Sequence, residues 1–372
     1  MAEVSVTAST PTETEAAQLY QKELHHAVYY ENFFQKYGFI GKSANSIIQL
    51  NEDFKKQKGD AINFNLRINP TAAPIADDGW IEGNEMAMGF EADSVLLGAA
   101  SGALRSKGKV TEQSFVGDLR AEMRDGLADW WNRYYSTWIV KKLSGSTFQG
   151  YAGTAEGTLG SLTTIGEAAS ANTNILYGGD ATSTDTLDAS DTFTPDLIRR
   201  AKLAAKVGYI GSTQIHKIRP TVINAKPYFV LVAHDYQLYD LKSTDEWKQA
   251  MREAERRGPE NPLFSGATAI WDGVVIYETD YVITASDWGA QGDVAGGTAL
   301  FLGAQAGMLA IAQNGPDWVE MTRNYGRKWG VATGMVMGFD KSKFGVTDGG
   351  TAKDFAVIAI KTAAKNPEVI NG

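Results

Sequence analysis

Between Phe115 and Leu143, apolar residues recur at Phe115, Leu119, Met123, Leu127, Trp130, Tyr134 and Trp138, always three or four positions apart. That period keeps one face of a helix apolar. At about 1.5 Å per residue, such a helix would run roughly 44 Å. Thr111 or Ser114 is placed to cap its start, and Asp118 and Glu122 suit the positive end of its dipole. Lys141, Lys142 and Gly145 suit its end. Gly117 and Gly126 cost about 1 kcal/mol each relative to alanine, so a bend near one of them, or a start after Gly117, is expected. Trp131 and Tyr135 widen the stripe beyond a single seam, which calls for more than one covering surface.

The pattern before and after this helix is of a different kind. Residues 1–15 are a polar lead, and a short helix over 16–37 carries an aromatic cluster of Tyr29, Tyr30, Phe33 and Phe34 that needs a partner surface. In 61–69, Ile62, Phe64, Leu66 and Ile68 alternate with Asn63, Asn65 and Arg67, the period of a half-buried strand. A second strand follows near Phe90–Leu97, after a polar excursion containing Trp80. The pair reads as a hairpin with a long tip, and loops of that length usually serve function or association. The stretch 144–192 reads as irregular, with room for short strands. A helix resumes after Thr194-Pro195, and a further helical stretch starts at Asp235 or Ser243. KPYFVLVAH, GVVIYETDYVIT, ALFLGAQAGMLAIA, GVATGMVMGF and FAVIAIKTA read as strands. Helices and strands in this irregular order indicate an α+β fold.

Composition narrows the function. A net charge of −9 and a pI near 5.1 argue against a dedicated nucleic-acid binder. There is no cysteine, hence no disulfide and no thiolate metal site. No secretory leader is evident, and no apolar run approaches a membrane span.

Motifs for chemistry are absent or incomplete. GFIGKS at 38–43 resembles the end of a phosphate loop, but the position that requires glycine is Lys36. His234-Asp235 follows a buried strand and has no nucleophile in view, so His234 reads as structural. Asp180, Asp185, Asp188 and Asp191 lack the spacing of a calcium loop. No catalytic, cofactor-binding or metal-ligating residue is assigned, and the chain is not expected to be an enzyme.

Six stretches in order resemble a known family: WIEGNEMAMGFEADSV (80–95), LRAEMRDGLADWWNR (119–133), ENPLFSGATAIWDGVVIYE (260–278), ALFLGAQA (299–306), NYGRKWGVATGMVMGFDKSKF (324–344) and DFAVIAIKTAA (354–364). The chain is similar to the major capsid proteins of tailed double-stranded-DNA bacteriophages with the Hong Kong 97-type fold, in particular the podovirus-like coliphage capsid family. The resemblance implies an N-terminal arm (1–58), an extended loop (59–110), a peripheral domain with the spine helix (111–195), an axial domain (196–317) and return strands (318–372). It implies pentamers and hexamers of an icosahedral head around double-stranded DNA, in a virion assembled in the host cytoplasm. Scaffolding and portal partners, and a decoration protein, are also implied. Trp80, Phe33 and Phe34 become the candidates for contact between subunits. The spine-helix core is Leu119, Met123, Leu127, Trp130, Tyr134 and Trp138. With no coiled segment ahead of the arm, a fused scaffolding domain is not expected. Two alternatives stay open: an encapsulin-like shell protein, and a soluble enzyme with a site near His234 or Lys42.

Overall fold

The helix implied by the apolar period runs from Leu119 to Ser144 in the computed structural model. This structure describes residues 19–24, 28, 32–52, 61–67, 90–109, 113, 118–145, 169–223, 226–255, 269–282, 284–312, 316–325, 327–345 and 351–364. The helix starts after Gly117, as the sequence allowed, and its cap is Asp118 rather than Thr111 or Ser114. An Asp118 side-chain oxygen accepts the Arg120 N–H at 2.9 Å, satisfying a donor that the first turn leaves free. Phe115 and Gly117 lie outside the described residues. Gly145 ends the helix in the left-handed region, at φ 61°.

The one-faced stripe holds only for the first half. Met123 and Leu127 are buried while Arg120, Asp125 and Asp129 are not, but every residue from Tyr134 to Ser144 is buried. The reason is that the helix packs on two sheets. In the first, the 14-residue strand Lys328–Lys341 is the trunk. It pairs antiparallel with Gly98–Arg105 on one edge, and with Val319–Arg323 and Gly307–Ile311 on the other. Ile48–Asn51 then adds in parallel to Gly307–Ile311. The second sheet has the order Ala269–Trp271, Val274–Glu278, Lys226–Ala233, Val294–Leu302, Val357–Ala363, Ile175–Tyr177, with Thr284–Trp288 on the outer half of Val294–Leu302. The helices Pro195–Val207, Asp235–Ser243 and Asp245–Glu255 accompany it, and Thr244 separates the last two.

One reading from the sequence changes here. ALFLGAQAGMLAIA is two strands in two different sheets. The chain leaves the second sheet at Leu302 and enters the first at Gly307. The crossing is held by N–H bonds from Ala304 to the Arg219 oxygen, from Gln305 to the Ser46 oxygen and from Ala306 to the Ile47 oxygen. At Gly303 a Cβ would lie 2.7 Å from the Arg219 oxygen, so the crossing needs glycine. The region 144–192 does hold a short strand, as expected, since Ile175–Tyr177 pairs in parallel with Val357–Ala363.

Several of the polar groups that this packing buries are matched, although the Trp138 indole N–H and the Thr137 hydroxyl find no hydrogen-bond partner among the described residues. Trp131, fully buried, donates its indole N–H to Thr333 Oγ1 of the trunk strand at 2.7 Å. Trp130 lies against Gly102, where a Cβ would come within 2.8 Å of its ring. Where the trunk strand ends, Lys341 and Asp354 form a fully buried ion pair at 2.8 Å. Lys341 Nζ also donates to the Ala171 oxygen at 2.9 Å and to Asn172 Oδ1 at 2.5 Å. Asp354 Oδ2 accepts the Thr173 N–H at 2.8 Å, and Asn174 donates to the carbonyls of Asp354 and Val357. Burial pushes the Lys341 ammonium below the usual lysine range, while the Asp354 charge opposes that shift.

Removing one partner of a buried pair strands the other charge, at about 3–5 kcal/mol. Lys341→Met is therefore expected to lower unfolding stability by about that much, and Lys341→Met combined with Asp354→Leu by clearly less. Denaturant unfolding of the unassembled subunit measures both. Thr333→Val leaves the Trp131 N–H without its acceptor and should cost about 1–3 kcal/mol in the same assay.

Candidate intersubunit surface

The hairpin foreseen at 61–97 is present, with Ala61–Arg67 and Phe90–Leu96 paired antiparallel along their length. Its inner face puts Ile62, Phe64 and Val95 on Met308 and Ala310 of the first sheet, all of them buried. Residues directly opposite share a face, so Asp93, opposite Phe64, and Glu91, opposite Leu66, also point inward. They do so with partners: Asp93 Oδ2 accepts the Lys343 N–H at 2.9 Å, and Glu91 Oε2 accepts the Gly345 N–H at 2.7 Å. Two carboxylates thus serve as acceptors for an adjoining strand's N–H groups, while Asn63, Asn65 and Ser94 face solvent. Sequence reasoning missed Glu91 and Asp93. The available signal was two acids at alternate positions of a strand whose partner is apolar at those same positions. Trp80 and Ile68 lie outside the described residues, as does the side chain of Leu66.

The N-terminal candidates are placed differently. Phe34 is 0% exposed within this one chain, so its ring offers a neighbouring subunit no surface to cover. Phe33 is half-buried, edge-on to Phe34, Tyr37, Phe39 and Tyr277 of the second sheet. Residues 32–51 pack into the subunit's own core, because Phe34, Phe39, Ile47 and Ile48 have nowhere else to be buried and the sheet edge at Gly307–Ile311 accepts their strand. Along the long helix, Met123, Leu127, Tyr134 and Trp138 are buried, whereas Leu119 and Trp130 are half-buried against the same core.

The residues weighed for chemistry have structural partners. Lys42 is largely exposed and pairs with Glu52 at 2.7 Å. His234 caps the helix Asp235–Ser243, its Nδ1 accepting the Tyr236 N–H at 3.2 Å while Gln237 reaches back to the His234 N–H. A ring nitrogen that accepts is unprotonated, and burial holds His234 below its ordinary range despite Asp235 and Asp280. Among the described residues, no cluster of His, Asp and Glu is arranged to hold a metal ion. On the same helix, burial pushes Asp240 from 3.8 up to about 6. The folded chain then holds a proton that the unfolded chain releases, so this group lowers stability as pH rises from about 4 to about 6. Asp240→Asn removes that dependence. Its thermal midpoint should exceed the parent's at pH 7, and the gain should vanish towards pH 4.

Known proteins share this architecture. A family model described as phage capsid protein matches residues 9–366. The major capsid protein of Pseudomonas phage KPP25 is 29% identical over 356 residues, which cover 88% of this chain and 90% of that protein. The capsid of Ralstonia phage GP4 superimposes with a TM-score of 0.76 at 28% identity, covering 90% of this chain and 92% of that one. The capsid of Helicobacter pylori bacteriophage KHP30 has the same fold, with a TM-score of 0.66 at 18% identity over 88% and 91% of the two chains. With two sheets joined through one long helix, an anchored hairpin and a family match over nearly its whole length, the chain belongs to the phage capsid protein family and has the Hong Kong 97-type fold.

Proposed function

We propose that this chain is the major capsid protein of a phage, assembling through pentamers and hexamers into an icosahedral head that encloses double-stranded DNA. The family match over residues 9–366 carries the reading, and the hairpin supports it physically. Its base is tied to the subunit's own core by apolar contacts and by Glu91 and Asp93, and residues 68–89, including Trp80, begin and end on that anchored base. An aromatic of that size buries on the order of 200 Å² when covered, and a neighbouring subunit is the cover we assign to it. In this reading the first sheet and the long helix form the peripheral domain, and the second sheet and its helices the axial domain. Residues ahead of Leu19 form the part of the arm that reaches over neighbours, since Leu24 and Val28 are already buried in the subunit's own core. A scaffolding protein and a portal are the partners such a head needs, and a decoration protein would bind from outside. The acidic balance, 44 Asp and Glu against 35 Lys and Arg, suits a container that must not grip its own DNA. Catalysis has no part in it: His234→Ala and Lys42→Ala should leave assembly intact.

Deleting residues 70–85 tests the role of the hairpin. The thermal midpoint of the unassembled subunit should stay where it was, because the anchoring contacts lie outside the deletion. Closed shells in electron micrographs of the co-expressed capsid and scaffold should be lost. Normal shells from the shortened chain would refute the assignment.

A further inference from the structure

Charge along this chain is segregated, and two of the resulting surfaces find no ion-pair partner among the described residues. At one end of the first sheet, Arg105, Lys107 and Lys109 follow the edge strand, and Arg323 and Arg327 flank the turn between Val319–Arg323 and the trunk strand. All five are exposed. The register brings the two stretches together: Arg105 lies opposite Gly330, Arg323 lies opposite Lys328, and the Ser106 N–H bonds to the Trp329 oxygen at 2.8 Å. There is no acidic residue in 98–109 or in 321–339. The turn also projects Tyr325 fully into solvent from a backbone at φ 53°, next to Asn324 at φ 55°. Bulky L residues rarely enter that region. Val319 and Met321 are exposed on the outer strand beside it.

The second sheet carries the opposite. Asp180, Asp185 and Asp188 come from one segment and Asp287 and Asp293 from another, and the Gly289 N–H bonds to the Thr184 oxygen at 2.9 Å to join them. All five carboxylates are exposed. No Lys or Arg occurs in 143–198 or in 258–322. Lys361 lies over the Trp288 ring rather than on any of these carboxylates. Among the described residues, none of the cations and none of the carboxylates just named forms an ion pair within the chain.

We propose that these surfaces meet between copies, with the basic turn around Tyr325 of one subunit docking on the acidic knob at Asp180–Asp188 and Asp287–Asp293 of the next. The contact is heterologous, two different patches of identical chains, which is the kind that closes subunits into rings. Opposite charge sets its register and suppresses misdocking, and Tyr325, Val319 and Met321 supply apolar area beside the ion pairs. The inference rests on the shell-forming reading above.

Charge exchange tests it. Arg323→Glu with Arg327→Glu, and separately Asp287→Lys with Asp293→Lys, should each cut the yield of closed shells from capsid and scaffold by about tenfold or more, since like charges then face each other. All four substitutions in one chain restore complementarity in the reversed sense and should recover shells. Thermal midpoints of the unassembled variants should match the parent, because Arg323, Arg327, Asp287 and Asp293 are exposed and their side chains make no ion pair or hydrogen bond among the described residues. Wild-type yield from either pair of substitutions, or no recovery in the fourfold variant, would overturn the contact. So would normal shells from the arginine variant that retain less DNA, which would assign the basic turn to nucleic acid. If the unsubstituted chain forms no shells, the shell-forming reading itself fails.

Discussion

The second half of the long helix is buried on every side, and the rest of the molecule is arranged to meet that demand. A helix that is apolar along one face needs one covering surface, whereas residues 134–144 need cover all round. Lys328–Lys341 and Gly98–Arg105 supply part of it and Val294–Leu302 supplies more. Because those strands belong to two sheets, the helix joins the two layers. Its aromatics suit this position: Trp130 seats against Gly102, Trp131 finds Thr333, and Trp138 meets Phe339 at 5.8 Å.

The chain passes between the sheets more than once, and each passage is fastened. At 303–306 successive N–H groups bond to carbonyls of Arg219, Ser46 and Ile47, from parts of the chain far apart in sequence. After Lys341 the return to the second sheet is held by Lys341, Asp354 and the segment Asn172–Asn174. A buried ion pair contributes little net stability compared with an apolar replacement. Here it ties the end of the trunk strand to the segment 171–174, since Lys341 reaches Ala171 and Asn172 while Asp354 accepts from Thr173. A subunit fastened in this way can present its hairpin and its charged surfaces at fixed positions, as a shell built from repeated contacts requires.

The long helix, the hairpin strands and Pro195–Val207 were legible in the sequence, because periods of 3.6 and 2, with Pro at a helix start, are local signals. Family membership was legible as well, in six ordered stretches. A helix start after Gly117 was legible as one of two options, but the cap residue was not. Thr111, Ser114 and Asp118 are all good cap residues, and the choice among them depends on where the preceding chain is held. The run 299–312 read as one strand because a residue buried in either sheet is equally apolar. Its break is set by the close approach of Arg219 at Gly303, a contact between residues more than eighty positions apart.

The candidate surface divides along the same line. Sequence alone determined that the chain carries a hairpin with a long excursion, an acidic balance and no complete catalytic motif, since each follows from composition or short-range pattern. Only the tertiary structure decided that Phe34 belongs to the subunit's own core, and that Glu91 and Asp93 are anchors rather than solvated charges. It alone brought the cations of 105–109 and 323–327 to one place. In each case the deciding quantity is a contact between distant residues, which depends on how the strands are registered and which surfaces they cover. No local pattern of apolar and polar positions encodes that.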